Sequence, residues 1–177
     1  MLSKRLEAIA NGATIVVSVL LSIILVKVFL LPAKPAPGPA ARAQIQKGKD
    51  MKPLLKDVNW SQNGRTIVLA LSTQCHFCTA SAPFLRKLVQ EAKSTKAVKT
   101  VAVLPQPIAE AQKYLDGEDV HVDEVTQAEM SSIGVGGTPT WLMVDKAGIV
   151  TDVWVGKLDS TGEEQVLHAL NDGHKVN

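Results

Sequence analysis

The sequence predicts an α/β domain displayed behind one N-terminal membrane-spanning helix. Three observations carry that expectation. Residues 13–31 read ATIVVSVLLSIILVKVFLL, an almost unbroken apolar run; from residue 67 onward short β-branched runs alternate with segments of helical periodicity; and the chain closes on a β-hairpin and an amphipathic helix. With 177 residues there is room for one domain of ordinary size plus appendages.

The apolar run at 13–31 suits a hydrocarbon core of about 30 Å and follows a short basic N-terminus, residues 1–12, carrying Lys4 and Arg5. Lys27 lies near its C-terminal end, where the stem can follow apolar surface while the ammonium reaches the interface. Ala41-Arg42-Ala43 has the small-x-small form of a signal-peptide cleavage site. It lies well beyond an apolar run that is itself longer than the roughly 7–15 residues of a signal h-region, so the segment reads as an uncleaved anchor. Lys4 and Arg5 then remain in the cytoplasm and the rest of the chain emerges on the far side, which in a bacterial inner membrane is the periplasm or the cell exterior. Residues 32–49 begin Pro-Ala-Lys-Pro-Ala-Pro-Gly-Pro, a composition that stays extended at about 3.1 Å per residue and forms a tether. The globular domain is expected at 50–177.

Charge divides at the same place. Residues 1–43 hold five of the 19 Lys and Arg but one of the 17 Asp and Glu, leaving 14 basic and 16 acidic residues for the remainder. The calculated pI near 8.5 therefore reflects the N-terminal segment, and no cluster of Lys and Arg with interleaved aromatics supports nucleic-acid binding.

Within the domain, residues 67–72 (Ile-Val-Leu-Ala-Leu-Ser) form a continuous apolar run, as expected of a strand covered on both faces. Thr79 to Lys93 places Ala80, Phe84, Leu85, Leu88, Val89 and Ala92 at helical spacing, with a kink expected at Pro83. Val98 to Leu104 reads as a second buried strand, Pro107 to Leu115 as a helix opened by proline, and Val120 to Val122 as a short strand. A short helix is expected around Thr126 to Ile133. Thr140 to Val144 and Ile149 to Val155, joined by the Asp145-Lys-Ala-Gly148 turn, read as the hairpin, and Asp159 to Leu170 as the last helix, capped by Asp159 or Ser160.

The only two cysteines stand together as Cys75-His76-Phe77-Cys78, where the first strand gives way to the first helix. Two thiols separated by two residues on a helical first turn can close into a small disulfide, and the free N–H groups there favour a thiolate at the first sulfur. A charged His76 would favour it further.

This CxxC after the first core strand, with Gly137-Thr138-Pro139 before the hairpin, resembles the thioredoxin-like fold, in particular its membrane-anchored extracytoplasmic and redoxin-like branches. The likeness spans about residues 50–172. It implies a central mixed sheet flanked by helices, a cis-proline at Pro139 facing the disulfide, and a Thr138 backbone open to a substrate chain. It further implies that Cys75 forms the mixed disulfide and Cys78 resolves it, exchanging electrons with protein thiols or disulfides outside the cytoplasm and with a possible membrane redox partner. The redox-active Cys75–Cys78 pair would be sufficient, without a diffusible cofactor or metal. Three features depart from relatives: Phe77 fills the intervening position where strongly oxidising relatives commonly carry histidine, Leu69 stands where many thioredoxins bury an aspartate, and Thr73-Gln74 replace the residue pair that often includes Trp.

Other readings draw on the same residues. Peroxiredoxins share the fold, and Ser72 has the spacing of their Thr/Ser before the reactive cysteine, with Arg65 or Arg86 as candidate activators; Val68, however, stands where their motif carries proline. A copper-binding thioredoxin-like protein would use both cysteines with a histidine such as His121. Haem attachment is excluded, because Thr79 follows the second cysteine where that motif needs His. Trp60, Trp141 and Trp154 are expected in packing roles.

Overall fold

The computed structural model describes residues 45–172 other than residue 97, together with Ser18. The expected anchor and N-terminus, apart from Ser18, and the tether as far as residue 44 lie outside the described residues. Among the described residues no helix is long and apolar enough to cross a membrane.

Five strands form one sheet: β1 Arg65–Ala70, β2 Val98–Leu104, β3 Glu124–Gln127, β4 Thr140–Val144 and β5 Val150–Val155. Their order is β3-β2-β1-β4-β5, with β1, β2 and β3 parallel and β4 antiparallel to both β1 and β5. This is the expected mixed sheet. The helices are α1 Trp60–Asn63, α2 His76–Ala80, α3 Ala82–Thr95, α4 Ile108–Gly117 and α5 Ser160–Asp172.

Because side chains alternate along a strand, the continuous apolar runs feed two cores. Ile67, Leu69, Ala102, Leu104, Trp141 and Met143 pack with Phe84, Leu85 and Leu88 of α3, Leu115 of α4 and Val166 of α5. Val68, Ala70, Val101, Val103, Leu142 and Val144 meet Ile45, Met51, Leu55, Val58 and Trp60 on the opposite face. Residues 45–49, within the expected tether, are thus laid against the domain: Ile45 is buried, Gly48 N donates to Val150 O at 2.7 Å, and Lys47 pairs with Asp152.

Three expectations are corrected. The helix expected from Thr79 to Lys93 is two helices that meet at Ser81, starting earlier at His76. Pro83 lacks the N–H that would bond the Thr79 carbonyl, so the chain restarts, with Pro83 in the first turn of α3. The strand expected at Val120–Val122 is β3, Glu124–Gln127. Val120 instead closes the end of α4, its N–H bonding Leu115 O at 2.9 Å after Asp119 turns to a φ of 55°. Asp123 then locks to Thr100 before pairing begins at Val101 and Glu124. The helix expected around Thr126 to Ile133 is the end of β3 followed by turns, closed by Val135 N to Met130 O at 2.8 Å.

The hairpin forms as its sequence requires. Asp145 Oδ1 accepts from Ala147 N at 2.8 Å and Ile149 N at 2.9 Å, and Gly148 takes a φ of 77°. A Cβ there would approach Lys52 Cγ to 2.8 Å, so glycine is required by both conformation and space. Asp159 caps α5 by accepting Gly162 N at 2.8 Å.

Candidate active site

β1 ends at Ala70, and the next residues carry the chain from the C-terminal edge of the sheet into α2. Cys75 is the N-cap of α2, and Cys75 Sγ accepts the Cys78 N–H at 3.2 Å. A sulfur therefore performs the capping role usually given to a side-chain oxygen. The main chain winds tightly around it, with Cys78 N bonding Cys75 O at 3.0 Å and Cys75 N bonding Ser72 O at 3.1 Å.

The second wall is the segment before β4. The Thr138–Pro139 peptide bond is cis, and Cys75 Sγ lies 3.2 Å from Thr138 O, so the expected residues of the two distant motifs meet. Pro139 is buried, and its carbonyl accepts Gly156 N at 2.7 Å, fixing the segment to the end of β5.

The two cysteines, both free thiols, differ in exposure and electrostatics. Partial burial of Cys75 opposes its thiolate, but hydrogen bonds from the side chains of Cys78 and Thr138 and the main chains of Cys78 and Phe77 outweigh it and hold the thiol below its ordinary value. Cys78 is fully buried; that burial, reinforced by Cys75, pushes its thiol up to about 12. A more exposed, acidic thiol beside a buried, basic one can act as attacking and resolving groups in that order.

His76 is exposed, edge-on to Phe77 with ring centroids 5.8 Å apart, and Phe77 is 58% exposed. Leu69 is fully buried in the sheet opposite Trp141, so β1 places no acid behind the dithiol. The residues of the peroxidase reading are engaged elsewhere: Arg65 donates to Ala169 O and Leu170 O, Arg86 to Glu118 O, and Ser72 Oγ accepts from Gln74 N and Gln106. His121 sits 3.0 Å from Asp119, and among the described residues no group of three or more His, Cys, Asp or Glu is placed to hold a metal ion. Trp141 is fully buried and Trp60 nearly so, while Trp154 packs partly buried against the first core.

Sequence reasoning passed over Gln106, Glu110 and Tyr114, which the structure brings to the segment around the dithiol. The available signal was their interval of four residues.

A dithiol at a helix N-terminus, facing the carbonyl that precedes a cis-proline at the end of a mixed sheet, defines a thioredoxin-like oxidoreductase. The chain belongs to the Redoxin family, whose sequence profile matches residues 37–170. Several solved structures share the fold. A protein of Chlorobium tepidum described as a thiol:disulfide interchange protein DsbE superposes with a TM-score of 0.55 at 21% identity, covering 72% of this chain and 99% of that one. A thiol:disulfide interchange protein of Bacteroides sp. gives 0.51 at 17% identity over 71% of this chain and 83% of that one. A protein of Neisseria meningitidis described as a thioredoxin gives 0.50 at 18% identity, covering 67% and 81%. No curated protein matches the chain in sequence.

Proposed function

We infer that the protein is a membrane-tethered thiol-disulfide oxidoreductase acting on cysteines of proteins outside the cytoplasm. The observation that carries the chemistry is Cys75 Sγ capping α2 while facing Thr138 O at 3.2 Å. The names of the Chlorobium and Bacteroides structures, thiol:disulfide interchange proteins, support the same chemistry.

In the direction that reduces a partner, the Cys75 thiolate attacks one sulfur of the partner's disulfide and expels the other as a thiolate, which takes a proton from water. The Cys78 thiol loses its proton to water, attacks Cys75 Sγ and releases the partner's second thiolate. Two electrons pass to the partner and Cys75–Cys78 is left as a disulfide; the reverse sequence oxidises a dithiol. Thr138 and Pro139 form the wall along which the partner chain lies, and His76, when protonated, adds positive charge one residue from the attacking sulfur. The dithiol holds the electrons, so no diffusible cofactor is needed.

The anchor at 13–31 and the tether from 32 place this domain at the outer surface of the membrane, where a membrane redox partner can reset it. The test is exchange with a disulfide-bonded peptide by the full chain in detergent micelles. Cys75→Ser abolishes turnover, whereas Cys78→Ser traps a mixed disulfide visible as a mass increase. Full turnover by Cys75→Ser contradicts the assigned roles.

A further inference from the structure

Three polar side chains at intervals of four, Gln106 just before α4 and Glu110 and Tyr114 within it, reach the segment that holds the dithiol. Gln106 Oε1 accepts Thr73 N at 3.3 Å, while its Nε2 donates to Ser72 Oγ at 3.2 Å. Glu110 Oε1 accepts the Thr73 hydroxyl at 3.0 Å, and the Tyr114 and Thr79 hydroxyls lie 3.4 Å apart. Two grips therefore fall just before Cys75 and one just after Cys78.

The gripped residues also touch the reacting pair. Ser72 O accepts Cys75 N at 3.1 Å, and a backbone hydrogen bond from Ser72 favours the Cys78 thiolate against the burial that opposes it. Shifting Ser72 would disturb the buried sulfur, while Cys75 would keep its own hydrogen bonds from Cys78, Thr138 and Phe77. Gln106 and Tyr114 are partly buried, which limits competition from water.

We propose that Gln106, Glu110 and Tyr114 are positioning residues of the resolving step, holding the Ser72–Thr79 segment so that Cys78 is poised to attack the Cys75 sulfur. The proposal rests on the dithiol-exchange reading. In the step concerned, a Cys78–Cys75 S–S bond forms, the bond from Cys75 to the partner sulfur breaks, the partner leaves as a thiolate, and the Cys78 proton passes to water.

The experiment mixes the reduced full chain, in detergent micelles, with one equivalent of 5,5′-dithiobis(2-nitrobenzoate) and follows release of the coloured thiolate. The first release reports attack by Cys75 and the second reports resolution by Cys78. Gln106→Ala and Glu110→Ala are expected to slow the second release roughly 3- to 10-fold and to change the first by less than about twofold, the scale of one lost hydrogen bond. Glu110→Gln, whose amide oxygen can still accept the Thr73 hydroxyl, is expected to resolve at the wild-type rate. An unchanged second release in both alanine variants overturns the proposal. Equal slowing of both releases also overturns it, as does a Glu110→Gln variant as slow as Glu110→Ala. A wild-type chain with no second release overturns the dithiol reading itself, and the proposal with it.

Discussion

Cys75 and Cys78 stand one helical turn apart in opposite surroundings. Hydrogen bonds hold the first thiol below its ordinary value of 9.0, while burial takes the second to about 12. A lowered thiol ionises at lower pH, so alkylation of Cys75 by iodoacetamide is expected to reach half its maximal rate below pH 9.0, with Cys78 silent until strongly alkaline conditions. Peptide mapping of the alkylated thiols across a pH series checks this, and equal reactivity of the two at neutral pH contradicts it. The thiol pair, the cis-proline segment and their order along the chain were legible in the sequence. The hydrogen bonds that tune the sulfurs were not, because they come from the backbones of Ser72, Phe77 and Cys78 and from Thr138, groups whose approach to the thiols depends on how the sheet is wound.

At the level of elements, apolar runs were the clearest guide, since a strand covered on both faces leaves no other pattern. Val98–Leu104 and Thr140–Val144 formed as expected. Sequence signals failed where a short apolar segment had two possible uses. Val120 could open a strand or close a helix, and the αL turn at Asp119 selected the second. Asp123 then ties the approach to β3 onto β2 through Thr100 N at 2.8 Å and Thr100 Oγ1 at 2.7 Å. Burial opposes ionisation of this carboxyl, but the Thr100 bonds and Lys99 prevail and hold it below 3.8. A carboxyl depressed in the folded state stabilises the fold above its unfolded value, about 3.9, and that contribution is lost as pH falls through the folded value. Thermal melts from pH 6 to 2 should therefore fall less steeply for Asp123→Asn than for the native chain; identical slopes would remove Asp123 from the account. In the sheet centre Leu69→Ala should cost about 2–5 kcal/mol by chemical denaturation, because loss of the fully buried side chain leaves a cavity in the first core.

For the whole molecule, one end of the sheet carries the redox chemistry, and the arm beginning at Ile45 enters over the face formed by the second core. The proposed anchor and tether would let that end meet proteins near the membrane surface. If they do so, the expressed chain stays with membranes through alkaline carbonate washing, and removal of residues 1–43 releases it; a full chain that washes free argues against the anchor. The exchange chemistry is tested most directly by the reduction potential of the full chain in detergent micelles, equilibrated in glutathione buffers, quenched in acid, and read by alkylation of the unfolded chain and mass spectrometry. The dithiol reading predicts one reversible two-electron couple, with both cysteines protected together, between about −270 and −120 mV. Independent alkylation of Cys75 and Cys78 at every buffer ratio would contradict it.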